Sequence, residues 1–178
     1  MKKSIKILLV GVLMAVSGGV FAEGKIAVFD LQGAILNTDA AQQQFKELRA
    51  KTAYADLKAE LDTITADLQA MNKDAQTNSV TWSDEQKVEQ RKKMDYKLAD
   101  RELVTKKLRQ EETTLAEKIL QGQVQSALAI ANDLVKAEGI GLLLNAAAVD
   151  ANGQRMVFHV DSSYDITAKV TDRLNGAK

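Results

Sequence analysis

From Asp39 to Glu138 the chain carries its apolar residues at helical spacing, with no proline and a single glycine, Gly122. In the first part of that stretch Tyr54, Leu57, Leu61, Ile64, Leu68 and Met71 follow one another by steps of three and four. Such steps mark a heptad seam, one narrow stripe set against a single partner helix. Phe45 and Leu48 are out of phase with it, so the packing partner is expected to change near the base. The run Gln76–Ser83 then interrupts with residues that hydrogen-bond their own backbone and favour turns. Ser83 followed by Gln86 has capping-box spacing, and Asp84 and Glu85 suit the positive end of a helix. Met94, Leu98, Leu108, Leu115 and Ile119 fit one heptad frame beyond it, interrupted by Arg101, Thr105 and Glu112. The pattern predicts two helices of nearly equal length, Asp39–Ala75 and Asp84–Gln121, folded back as a hairpin that would reach ~55 Å at 1.5 Å per residue.

The flanks read differently. Lys25–Leu31 is β-branched and apolar, a predicted strand. Asn37-Thr38-Asp39 is turn-like, and Asp39 with Gln42 again has capping-box spacing. After Gly122 the sequence becomes markedly more apolar, and the helix is expected to leave the projection there and enter a packed body. Gly139-Ile-Gly141 ends the helix, with Lys136 in its last turn. Leu142–Leu144 and Met156–Val160 read as strands flanking Asp150–Gly153, whose Asn-Gly pair signals a hairpin turn. Asp165–Leu174 closes the chain as a short helix with Ile166, Val170 and Leu174 on one face. The fold class is therefore α+β, with a helical hairpin over residues 39–121 and a β-rich body from residues 23–38 and 122–178. Three short strands and two short helical pieces bury little alone. The body is expected to complete its core by assembling with other copies, with Ile26, Val28, Leu142, Leu144, Val157 and Phe158 as candidate contacts.

The first 22 residues have the pattern of a secretory signal. Lys2, Lys3 and Lys6 precede the apolar run Ile7–Val16, and Val20-Phe21-Ala22 offers small residues where a signal peptidase reads. Cleavage is expected after Ala22. An apolar run of this length falls short of the ~20 residues needed to span a membrane, and with no cysteine in the chain no lipid can be attached after the cut. Loss of the signal leaves 21 basic and 24 acidic residues, a net charge of −3. That balance speaks against nucleic acid as a partner.

Little in the sequence points to chemistry. The chain has no cysteine and one histidine, His159, placed mid-strand between Phe158 and Val160. A metal site or a nucleophilic triad would need partners that are not visible, so no catalytic, cofactor or metal residues are assigned and an enzyme is not expected. The charge pattern is more informative. Lys87, Arg91, Lys92, Lys93, Lys97, Arg101, Lys106, Lys107 and Arg109 stand against four acids in 23 residues. Such a surface can steer anionic lipid head groups or acidic polypeptide. Trp82, at the reversal, is a candidate contact for membrane or client.

The segments Lys25-Ile-Ala-Val-Phe-Asp-Leu-Gln32, Ala40-Ala-Gln-Gln-Gln-Phe-Lys-Glu-Leu48 and Asp165-Ile-Thr-Ala-Lys-Val-Thr-Asp-Arg-Leu174 resemble the Skp/OmpH family of periplasmic chaperones. The order of signal, strand, long hairpin, strands and short helix extends the resemblance over the whole mature chain. It implies a homotrimer in which strands form a small central barrel and three helical tentacles enclose a cavity. Unfolded outer-membrane β-barrel proteins would be held there without ATP, in the periplasm, with lipopolysaccharide or anionic lipid as a further partner. The sequence departs from the resemblance in charge, since the best-known members are strongly basic. The alternative is a structural or adaptor coiled-coil protein of the envelope that binds one folded partner. A continuous apolar heptad would favour it, and the interrupted second arm does not.

Overall fold

A computed structural model describes residues 24–176. The expected signal, residues 1–22, and its cleavage point lie outside the described residues. The described chain runs β1 (Lys25–Phe29), α1 (Leu31–Leu36), α2 (Asp39–Ala50), α3 (Thr52–Asn78), α4 (Asp84–Glu138), β2 (Ile140–Asn145) and α5 (Thr167–Leu174), with single 3-10 turns at Ser79–Thr81 and Ser162–Tyr164.

β1 and β2 form a two-stranded parallel sheet, with Ile26 opposite Leu142 and Val28 opposite Leu144. A parallel pair cannot be closed by a tight turn and needs a crossover; here the entire helical excursion supplies it. The strands start in close approach: a Cβ on Gly24 would lie 2.7 Å from the Gly141 Cα, so glycine is required at that crossing. Ala27 and Phe29 of β1 enter a core with Ala34 and Ile35 of α1, Ala127, Ala131 and Leu134 of α4, and Ile166 and Val170 at α5. The predicted face of the last helix is present, though α5 starts at Thr167 rather than Asp165.

Several expectations need correction. The first strand stops at Phe29 instead of Leu31, because the Asp30 side chain accepts from Gly33 N at 2.9 Å and caps the unpredicted α1. Thr38, not Asp39, caps α2: its Oγ1 accepts from Ala41 N, while the Gln42 amide donates to Leu36 O, so that box does not form. The first arm is not one helix. Lys51 is extended, with φ −67° and ψ 138°, and separates α2 from α3. This reset of helical phase is why Phe45 and Leu48 do not share the seam of α3: Phe45 packs against the body core.

The predicted strand Met156–Val160 is absent, which takes Val157 and Phe158 out of any sheet. The Asn152-Gly153 turn does form: Asp150 N donates to Gln154 O at 2.8 Å, and Val149 bridges Arg155. Pairing ends after Met156 N donates to Ala148 O. A strand exists only with a ladder partner, and β2 has β1 as its one strand neighbour among the described residues.

α4 is unbroken for 55 residues, ~80 Å. Both halves of the Ser83–Gln86 capping box are made at its start, and Gly139, at φ 65°, caps its end in the left-handed conformation that glycine adopts without strain. It passes through Gly122 without interruption and serves two cores. Ile119 to Leu134 belongs to the body, and Val104 with Leu108 packs on Ile64 of α3, rimmed by Tyr54, Leu57, Leu61 and Leu68. The α3 seam matches the heptad; the α4 seam matches it at Leu108, Leu115 and Ile119 but not at Leu98. Val104 is 2% exposed, while Leu98, assigned to the seam from sequence, is 42% exposed. Lys97 takes the turn-equivalent inner position and reaches Asp67 of α3 at 2.6 Å.

Val104→Ala should therefore lower stability by roughly 1–3 kcal/mol, whereas Leu98→Ala should change it by less than about 0.5 kcal/mol, as exposed sites do. Urea unfolding at one fixed protein concentration reads both. Equal losses would contradict the seam that places Val104 inside.

Candidate functional site

The far end of the arm carries a cleft of about 500 Å³ lined by Met71 and Ala75 of α3, Ser79, Val80 and Trp82 of the reversal, and Lys87, Gln90, Arg91 and Met94 of α4. Its position follows from the local sequence. α3 ends in Asn78, one 3-10 turn follows, and Ser83 restarts the chain as α4, so the reversal itself contributes to the cleft lining. Trp82 is half-buried there, and Val80 is 89% exposed. The two methionines are flexible and polarisable, and adapt to irregular apolar surfaces. Lys87 and Arg91 place two cations on the rim.

The ten candidate residues of the arm do not form one patch. Trp82, Lys87 and Arg91 share the cleft. Lys92 lies beside Val88 and Glu89 on another face. Lys93 pairs with Glu89 at 2.7 Å, which lowers the Glu89 carboxyl through the lysine hydrogen bond. Lys97 is engaged by Asp67, whose hydrogen bond raises the lysine above its ordinary value, against a smaller opposing cost of desolvation. Arg101, Lys106 and Arg109 border a shallow groove with Leu98 and Thr105. Among the described residues Arg91, Lys92, Arg101, Lys106, Lys107 and Arg109 enter no ion pair, so six exposed cations remain available on the distal arm.

In the body, the strand alternation separates two faces. Ala27, Phe29 and Leu143 face the helices. Ile26, Leu142 and Leu144 are 51%, 50% and 39% exposed on the other side of the sheet. Val28 is buried, where Ile166 N donates to its carbonyl at 3.1 Å and Asp165 bridges its strand. Val157 is half-buried and Phe158 is 89% exposed in the extended segment beyond the turn. The six predicted body residues thus divide into a sheet face of three, one covered residue and two on an unpaired segment.

The junction between body and arm was not singled out from sequence. Glu112 of α4 accepts from Arg49 Nε and Nη2, both at 3.2 Å, and from the Tyr54 hydroxyl at 2.9 Å. One carboxylate therefore joins residues on both sides of the Lys51 break. Burial, and then the Glu112 contact, raise the Tyr54 phenol above its ordinary value, with Arg49 opposing. In the sequence Glu112 is an interruption of a heptad; Arg49 and Tyr54 are 58 and more residues away, so no local pattern signals the contact.

The class that this arrangement defines is a helical-arm protein with a small mixed body: among the described residues no cluster of His, Cys, Asp or Glu could hold a metal, and no helix is long and apolar enough to cross a membrane. Residues 25–174 match the family Outer membrane protein (OmpH-like), and the chain belongs to that family. Among solved structures it is similar to a candidate outer membrane chaperone (OmpH-like) from Caulobacter crescentus CB15, at 19% identity and a TM-score of 0.42, over 87% of this chain and 86% of that one. No curated protein matches the chain.

The raised phenol has a consequence for pH. A group whose folded value lies above the unfolded one contributes stability that is whole below the unfolded value, about pH 10 for tyrosine, and lost as pH rises through the folded value. Wild type should lose more stability between pH 9 and pH 11 than Tyr54→Phe does, read as the difference in urea midpoints. Parallel losses in the two proteins would show that Tyr54 is not held neutral by the junction.

Proposed function

We propose that this chain is an ATP-independent holdase chaperone of the periplasm, reached after removal of the signal. Three copies assemble through the small β body, and three antiparallel two-helix tentacles surround a cavity. Unfolded outer-membrane β-barrel proteins are held there and kept from aggregating on their way to the membrane. The trimerising body is residues 23–38 and 122–178, and the tentacle is residues 39–121.

The observation that carries this reading is the thinness of the arm's own core. Across the length of α3, only Ile64 is buried, against Val104 and Leu108. Val80, Val88, Tyr96, Leu98 and Leu103 remain exposed on an arm rich in exposed cations. A coiled coil built for rigidity alone would bury such residues. A surface of scattered apolar side chains and exposed cations makes many weak contacts, each replaceable, as holding an unfolded chain requires. Membership of the OmpH-like family supports the same reading. The assembly is supported by the exposed Ile26, Leu142 and Leu144 on a two-stranded sheet, since two strands alone make a marginal unit in water.

Dilution of a urea-denatured outer-membrane barrel protein gives turbidity. One trimer per barrel chain is expected to suppress most of it without nucleotide, and undiminished turbidity at that ratio would overturn the chaperone reading. Light scattering of the mature protein at micromolar concentration is expected to give three chains per particle. A clean monomer would overturn the assembly.

A further inference from the structure

Two asparagines of the chain are followed by glycine, Asn152 by Gly153 and Asn175 by Gly176. Asparagine is a thermally labile residue. A following glycine makes it most so, because with no Cβ the next amide nitrogen can approach the carboxamide carbon. The reaction needs no enzyme. The glycine nitrogen bonds to the asparagine Cγ, the Cγ–Nδ2 bond breaks, and ammonia leaves with the proton that the nitrogen gives up. Water then opens the five-membered ring at either carbonyl. Opening at Cγ leaves aspartate. Opening at the main-chain carbonyl leaves isoaspartate, with the backbone running through the side-chain carbon.

The fold treats the two pairs alike in their backbone. Both asparagines are exposed, and both glycines have positive φ, 78° and 87°. Each glycine N–H donates to a carbonyl three residues back, Gly153 to Asp150 O at 3.0 Å and Gly176 to Arg173 O at 3.1 Å. They part at the side chain. Asp39 N, at the start of α2, donates to Asn175 Oδ1 at 2.9 Å across 136 residues of sequence. That bond must break before the Asn175 Cγ can turn to the Gly176 nitrogen. In the other turn the side-chain bonds are made by Asp150, whose Oδ1 accepts from Asn152 N at 2.9 Å and from Gln154 N at 2.8 Å. Asp150 thus holds the backbone of the turn, and the Asn152 carboxamide takes no part in that set. Asn145 serves as a reference: it precedes Ala146, and its own Oδ1 accepts from Ala147 N at 2.9 Å.

We infer that Asn152 is the position at which this chain modifies itself with age, becoming aspartate and isoaspartate by loss of ammonia and uptake of water, while Asp39 holds Asn175 back. The change adds one negative charge to a turn that already carries Asp150. Isoaspartate also lengthens the turn by one backbone atom. The register of a hairpin is set by the length of its turn. The Val149–Arg155 bridge and the Met156 N bond to Ala148 O at 2.8 Å are therefore released, at the entry to residues 156–160.

The test ages the full mature protein in warm neutral buffer and follows tryptic peptides by mass spectrometry. Asn152 and Asn145 fall in the peptide of residues 137–155, where fragment ions separate them, and Asn175 falls in residues 174–178. The amide-to-acid mass gain is expected at Asn152 roughly fivefold faster than at Asn175, the factor that one net hydrogen bond supplies, and slowest at Asn145. Asp39→Pro removes the one N–H that holds Asn175. Thr38, at ψ 150°, already has the conformation favoured before proline, and proline suits the first helical position. In that variant Asn175 should approach the rate of Asn152, while Asn152 keeps its own. Equal rates in the wild type, Asn175 reacting first, or Asp39→Pro leaving Asn175 slow would each overturn the inference. Hydrogen exchange at the Met156 amide reads the turn: protection should be lost in the isoaspartate form, and retained protection would overturn the loss of register.

Discussion

One helix holds this protein together. α4 is continuous for 55 residues, and its base is packed into the body through Ala127, Ala131 and Leu134 while its middle holds α3 through Val104 and Leu108. No other element connects the two cores over such a length. Since α4 is capped at both ends, by the Ser83–Gln86 box and by Gly139, its first and last turns are secured without tertiary help. Gly122 lies on α4 within the span that packs into the body, with nothing near the position of a Cβ. It costs about 1 kcal/mol relative to alanine in a helix interior, and no contact among the described residues requires it. The arm is thus a rigid extension of the body along α4 and a looser attachment along α3.

That asymmetry concentrates at Lys51. α2 and α3 are separated there, whereas α4 runs on unbroken, so the position of α3 relative to the body depends on side chains rather than on continuous helix. Glu112 supplies the link, taking Arg49 from one side of the break and Tyr54 from the other. Arg49 is more than half exposed, and exposed ion pairs contribute about 0–1 kcal/mol. The neutral phenol, partly buried, is the firmer of the two contacts. A change in the angle of α3 therefore costs little at this junction, while a change in α4 would require breaking a helix.

Where a sequence signal acts over a few residues, it was legible. The heptad of Tyr54, Leu57, Leu61, Ile64 and Leu68, the Ser83–Gln86 box, the Gly139 cap and the face of α5 are all set by spacing within one or two turns. The misses share a different origin. The predicted strand runs on to Leu31 and no element is predicted over residues 32–36; the helix there is decided by the complete burial of Ala34 and Ile35 against α4 and α5, tertiary packing that overrides propensity. No proline or glycine marks the break at Lys51, because the groups that stabilise it are remote. Leu98 was placed inside by a frame that assumed a perfect heptad, while Lys97 took the inner position by reaching Asp67. The candidate site was legible as composition, a basic distal helix with a tryptophan at the turn, and not as arrangement.

The segment Met156–Val160 shows where a single chain ceases to be a sufficient description. Its composition is that of a strand, the turn before it forms, and yet its backbone is unpaired beyond Met156, while Met156 and Phe158 are exposed at 63% and 89%. The same sheet presents Ile26, Leu142 and Leu144 outward. Strand propensity here is a preference for a pleated, half-buried surface, and among the described residues no such surface lies beyond β2. Residues of strand type without a partner, beside an apolar sheet face without a cover, impose a common requirement. Both are met at once if the missing surface belongs to other copies. The unpaired segment and the uncovered sheet face then have a single physical origin in the body's short supply of strands.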